Sequence, residues 1–153
     1  MRYPEIYPPE EDDYHLVASG RTMFLDAIDH SVAETIVEYL QASSAQMTVA
    51  QIRVLGGAMA RVPAEATAFG HRGAGAETWF IGASGAEPVD PVRNWVRRAF
   101  DRTAPFATGG TYVNALAGEQ SIADAYGAGI LVRLIEAKRR YDPDGVFSGN
   151  GIV

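Results

Sequence analysis

Residues 111–150, TYVNALAGEQ SIADAYGAGI LVRLIEAKRR YDPDGVFSGN, constrain the fold of this chain more than any other stretch. Ile130, Leu131, Leu134, Ile135 and Lys138 fall on one side at 3.6-residue spacing, with Arg133, Glu136, Arg139 and Arg140 opposite, which predicts an amphipathic helix. Its end is marked twice. Lys138, Arg139 and Arg140 suit the negative end of the helix dipole, and Pro143 biases Asp142 out of helical geometry. Upstream, Gly109-Gly110 lead into residues 111–114, whose β-branched and aromatic content predicts a short strand with Tyr112 and Asn114 on one side. Such a segment is expected to lie as one arm over a surface that the rest of the chain builds.

The upstream residues supply that surface. Met23, Phe24 and Leu25 suit a buried strand end. Residues 31–41 predict a helix, with Ser31 and Glu34 as a capping box and Val32, Ala33, Ile36, Val37 and Leu40 as its apolar face. Residues 47–55 predict a strand ending at Gly56-Gly57. Gln51 and Arg53 share a face of that strand with Met47, Val49 and Leu55, so they are either edge residues in water or polar groups aimed at a ligand. Residues 67–71 and 78–83 predict two more strands, joined through 73–76 in a hairpin-like arrangement. Asp90-Pro91 opens a second helix whose buried stripe is Val92, Trp95, Val96, Ala99 and Phe100. Strands and helices follow one another without βαβ regularity. The expected class is therefore α+β, an antiparallel sheet with helices packed on one face.

Composition removes several functions. A net charge of −6 argues against nucleic acid, and Arg93, Arg97, Arg98 and Arg102 are read as a solvated helix face. No cysteine is present, so disulfides and thiolate metal sites are excluded. Residues 1–13, with Pro4, Pro8 and Pro9 before an acidic run, are expected to form an extended arm and no metal site. There is no long apolar run and no signal pattern at Met1, which makes a cytoplasmic, membrane-free protein the expectation. His71 is read as a hydrogen-bonded structural histidine and Trp95 as core.

Several short motifs in order carry a family resemblance. Tyr112-x-Asn114, Ala125-Tyr126-Gly127, then RLIEAK ending in Tyr141-Asp142-Pro143 and Phe147, resemble the C-terminal segment of the berberine bridge enzyme family of FAD-linked oxidoreductases. Val54-Leu55-Gly56-Gly57-Ala58, Arg61-Val62-Pro63, Ala66-Thr67-Ala68-Phe69 and His71-Arg72 resemble the family's bacterial members. The resemblance implies FAD as cofactor and a small organic substrate. It also implies that FAD is held mainly by an N-terminal domain to which nothing in this sequence corresponds: Gly73-x-Gly75 and Gly127-x-Gly129 lack the context of a phosphate fingerprint. The chain is therefore expected to be an incomplete substrate domain, inactive alone, with residues 14–110 as a sheet-and-helix segment and 111–153 as a flavin-covering arm. Its expected partner is a separate FAD-binding domain or a second copy of itself.

By the same resemblance Tyr112, Asn114, Tyr126 and Asn150 are expected near the flavin ring, and Gln51 and Arg53 toward the substrate. An amide matches the donor and acceptor edges of a flavin, and a tyrosine packs on its face. The residues alone equally allow the asparagines to satisfy loop backbone and the tyrosines to fill core. Ala115 departs from the family, which carries a tyrosine proton acceptor or another aromatic after the Asn, and no catalytic base is assigned. The ending Gly149-Asn150-Gly151-Ile152 is looser than the family's tail. A non-enzymatic binding module and a degenerate fragment remain alternatives to an oxidoreductase segment.

Overall fold

The computed structural model describes residues 16–85, 90–116 and 120–148. The acidic run before residue 14 and Asn150 lie outside them. Three strands, β1 (Val17–Leu25), β2 (Met47–Val54) and β3 (Ala76–Ser84), form an antiparallel sheet in the order β1-β3-β2. The register sets Thr22 and Gln51 on either side of Trp79, and Phe24 and Arg53 on either side of Glu77. Because side chains alternate along a strand, each of these rows presents one face of the sheet.

Two helices cover the opposite face. Helix α1 (His30–Gln41) buries Val32 and Ile36. After the short helix α2 (Gly57–Ala60) and β3 comes α3 (Asp90–Thr103), which buries Val92, Trp95, Val96 and Ala99. These side chains pack with Met23, Leu25, Ala76 and Phe80 into the core, each large one stabilising the fold by roughly 1.5–3 kcal/mol. Trp95 Nε1 donates to Tyr39 O at 2.7 Å, tying α3 to α1 and satisfying the indole in the core role expected of it. The class is α+β with helices on one face, as the periodicities predict. Phe100 of the predicted stripe is half-buried against the core, and Arg93, Arg97, Arg98 and Arg102 are exposed.

Several local expectations are corrected. Helix α1 is capped by Asp29, whose carboxylate accepts from Val32 N at 2.9 Å, and not by the Ser31–Glu34 box. Asp29 stands two residues earlier and brings a charge that suits the helix N-terminus. Residues 67–71 form no strand and no hairpin with β3. The Arg72 side chain donates to Phe69 O, Met59 O and Thr67 Oγ1, and Thr67 Oγ1 also accepts from Phe69 N. These bonds occupy groups that a ladder would need and fold the segment back on itself. Residues 111–114 form no strand either: Gly109 and Gly110 have φ of +89° and +82°, and Ala115 N bonds Tyr112 O to close a tight turn over Val113–Ala115.

The last helix, α4 (Ile122–Tyr141), starts before the predicted one and is broken at Gly127, whose φ of 69° and ψ of 160° only glycine adopts readily. Beyond the break Ile130 is buried, Leu131, Leu134, Ile135 and Lys138 are half-buried, and Arg133, Glu136, Arg139 and Arg140 are exposed, in the predicted pattern. Asp142 ends the helix and pairs with Lys138. At its start Ser121 and Asp124 form a reciprocal capping box, with Ser121 N donating to Asp124 Oδ2 at 2.8 Å. These bonds to Ser121 hold the Asp124 carboxyl below its ordinary range. Ser121→Ala is expected to cost about 1 kcal/mol, read as a lower denaturant midpoint with an unchanged slope.

Candidate functional site

The sheet face opposite the helices holds the candidate site. The chain reaches it along β1: Thr108 N bonds Phe24 O at 2.8 Å, and Leu25 pairs with Ala107 in an isolated bridge. Thr111 is buried, with its hydroxyl 2.6 Å from that of Thr22. Tyr112 N donates to Thr22 Oγ1 at 2.9 Å, and Gln120 Nε2 donates to Thr22 O at 2.8 Å. Thr22 is thus the anchor of the crossing, a role that a buried hydroxyl in mid-strand fills because it accepts and donates at once.

Anchored there, Tyr112 lies beside strand β2. The Arg53 guanidinium carbon stands 5.9 Å from the centre of its ring. Arg53 Nη1 donates to Glu77 Oε2 at 3.2 Å and Nη2 to Gln51 Oε1 at 3.2 Å, while Asn114 Nδ2 donates to Tyr112 Oη at 2.8 Å. Four residues singled out from sequence, Gln51, Arg53, Tyr112 and Asn114, therefore form one connected group. The fifth member, Glu77, is missing from the sequence reading. It stands on central strand β3 with its side chain 5% exposed and Oε1 without a hydrogen-bond partner. Burial pushes its carboxyl above the ordinary value, against the pull of Arg53. An acid inside an otherwise apolar strand run, AETWFIGAS, is the signal that marks it. Strand β2 is an edge strand with Gln51 and Arg53 exposed, which agrees with the reading of both as edge residues, and the two also join the group around Tyr112.

Tyr126 lines two cavities, and meets that group only through Tyr112, which lines the first of them. One, of about 260 Å³, is walled by Phe69, His71, Tyr112, Val113 and Tyr126 among others. The other, of about 430 Å³, runs from Gly70 and His71 past Tyr126 to the helix break at Gly127 and to Arg133. His71 is the partition between them. Its ring stacks on Phe24 with centroids 4.2 Å apart, and its Nε2 lies 2.8 Å from Ala125 O, the hydrogen-bonded structural role expected of it. The exposed Asn114 amide lies beside the Tyr112 hydroxyl, to which it donates one of its hydrogens.

This donor set fits the ring of a flavin and not its phosphates. Aromatic walls, an exposed amide and a guanidinium suit a flat heteroaromatic ring with carbonyl edges. Neither the 73–75 turn nor α2 offers a phosphate cradle: a Cβ built at Gly75 would lie 1.9 Å from Asp26 O, so that turn is packed against backbone, and α2 spans only residues 57–60. Among the described residues no group of three or more His, Cys, Asp or Glu side chains is placed to hold a metal, and no helix is long and apolar enough to cross a membrane.

The fold defines the class of protein to which the chain is similar. Over nine-tenths of its length it has the fold of part of the berberine bridge enzyme-like oxidoreductases. It superposes on Physcomitrella patens BBE-like 1 with a TM-score of 0.78 at 20% identity, covering 90% of this chain and 30% of that one. It matches the glycopeptide hexose oxidase DBV29 with a TM-score of 0.75 at 17% identity, covering 91% and 32%. In sequence it is 31% identical over 101 residues to the FAD-linked oxidoreductase fogF of Aspergillus ruber (strain CBS 135680), an alignment that takes in 60% of this chain and 20% of that protein. No protein-family profile matches. The resemblance read in the sequence is thus shown, with an FAD-linked oxidoreductase in sequence and with berberine bridge enzyme-like enzymes in fold. The chain spans about a fifth of the length of its curated relative and about a third of its structural neighbours.

Proposed function

We propose that these residues form the substrate-side wall of an FAD-dependent oxidoreductase of the bacterial berberine bridge type, acting on a small organic molecule. The FAD-binding unit comes from outside these 153 residues, and the segment is inactive without it. The observation that carries this reading is the connected group Gln51–Arg53–Glu77–Tyr112–Asn114 on the sheet face opposite α1 and α3, assembled from β2, β3 and the turn at 112–114, with Thr22 as the anchor of that turn.

Bound FAD would supply the acceptor for a hydride from the substrate. The chain's own residues do the rest. Asn114 offers a carbonyl and an N–H to a ring edge, Tyr112 and Tyr126 offer ring faces, and Phe69, His71 and Val113 exclude water from the space between them. Arg53, held between Glu77 and Gln51, keeps a fixed cation beside the Tyr112 ring. Ala115 offers no group to take a proton, so no residue is assigned as catalytic base.

Titrating FAD with the purified chain and following flavin fluorescence tests the reading. Saturable quenching is expected, weakened about fivefold by Asn114→Ala, the equivalent of one hydrogen bond near 1 kcal/mol, and less by Tyr112→Phe. Quenching indifferent to both substitutions would place the flavin elsewhere and overturn it.

A further inference from the structure

We propose that the sheet face opposite α1 and α3 docks an organic anion on Arg53 and that Glu77 beneath it takes up a proton as the anion binds. The inference rests on the reading of this face as the substrate wall, and names the charge class of what the wall receives.

Arg53 is 43% exposed, whereas Glu77, the acid it contacts, is almost fully enclosed. The guanidinium has five N–H donors, and the bonds to Glu77 and Gln51 use two of them. Accepting from Arg53 turns the amide nitrogen of Gln51 outward as a further donor. The accessible chemistry beside Tyr112 is therefore donor-rich and cationic, on a chain whose net charge is −6. A planar guanidinium held at both terminal nitrogens is preorganised for a carboxylate-like oxygen pair, because its rotamer entropy is already spent.

Glu77 decides what such binding costs. With Glu77 ionised the Arg53 pair is neutral, and an incoming anion leaves a net negative charge beside a buried carboxylate. Protonation of Glu77 removes that charge. Its Oε1 is enclosed, out of reach of any ligand and without a donor, so the carboxylate is incompletely satisfied when ionised and loses no bond at Oε1 on taking a proton. Burial already favours the protonated form. The other titratable groups around it are Tyr112, beside Arg53, and His71, stacked on the Phe24 ring that pairs with Glu77 across the sheet.

Linkage fixes the sign. Where anion binding raises proton affinity at Glu77, lowering the pH must tighten anion binding, up to tenfold per pH unit, until Glu77 is protonated in the free chain as well.

The test uses benzenesulfonate, which stays anionic throughout, and neutral benzenesulfonamide, titrated calorimetrically into the intact chain between pH 7 and pH 5. Saturable benzenesulfonate binding that tightens as pH falls is expected, with proton uptake read from buffers of different ionisation heat. The sulfonamide should bind more weakly and without pH dependence. Arg53→Met should weaken the anion about tenfold or more, the loss expected for charge-assisted hydrogen bonds. Glu77→Gln keeps the bond to Arg53 but removes the charge, so it should tighten the anion at pH 7 and flatten the pH profile. A purely structural Glu77 would give the opposite or no change. Absence of saturable binding, equal binding of the sulfonamide, or a pH profile that survives in Glu77→Gln would each overturn the proposal. Proton uptake by the unaltered chain decides the matter even where a variant fails to fold. Flavin quenching in the same samples separates the two readings: anion binding lost with flavin binding kept sinks the docking site alone, and the converse sinks the flavin wall alone.

Discussion

Phe24→Ala is expected to lower stability by about 3–5 kcal/mol, the range for truncating a buried phenylalanine. Phe24 is 1% exposed near the end of β1 and faces away from the helices. Its ring carries His71 in a stack and meets Phe69 edge-on at 5.9 Å, so its loss opens a cavity beneath both. The consequence reaches further than the strand. His71 is the wall between the two cavities and contacts Ala125 O, so the 69–72 turn and the start of α4 lose a common support. Chemical denaturation should show the drop in stability, and amide exchange should show protection lost first at residues 69–72 and 111–126. A loss confined to β1, with residues 111–126 still protected, would mean that the crossing segment is held by Thr22 and not by the aromatic stack.

Gly110→Ala should be nearly as damaging for a different reason. Gly110 has φ of +82°, where a side chain costs roughly 1–2 kcal/mol. A Cβ there would also lie 2.1 Å from His71 Cε1, so the imidazole must leave its place between Phe24 and Ala125. Combined with the loss of that contact, a cost of about 2–4 kcal/mol is expected. The neighbouring Gly109 is a control: its φ is +89° but a Cβ would meet nothing within 4 Å. Gly109→Ala should therefore show the backbone cost alone, and flavin quenching should survive it while falling in Gly110→Ala. Equal effects at the two positions would remove His71 from the explanation.

The contrast between legible and illegible parts of the chain follows from how far each interaction reaches. Helix α3 and the far half of α4 were legible because their periodic apolar faces and terminators are local. Strand β2 was legible for the same reason, within a residue of its end. The stretches 67–71 and 111–114 carry strand-like residues, yet each is claimed by a distant group: the Arg72 guanidinium folds the first into a turn, and Thr22, 90 residues from Tyr112, holds the second. Strand propensity reports only that a residue suits a pleated surface. It does not say whether a ladder partner arrives.

The site shows the same division. Tyr112, Asn114, Gln51 and Arg53 were named from motif and strand parity, and parity correctly put Gln51 and Arg53 on one side of β2. Glu77 escaped because the predicted strand, 78–83, begins one residue after it, whereas β3 starts at Ala76 and its register sets Glu77 opposite Arg53.

From the sequence alone came the α+β class, the two long helices, the helix stop at Asp142-Pro143 and the family resemblance, all products of local spacing and of short motifs in order. Only the tertiary structure decided that β3 is the central strand, that the face away from α1 and α3 receives residues 107–116 and 120–126, and that Arg53 sits between a buried acid and a tyrosine 59 positions away. Those are consequences of strand register and of side-chain bonds between distant segments, and no local pattern carries either.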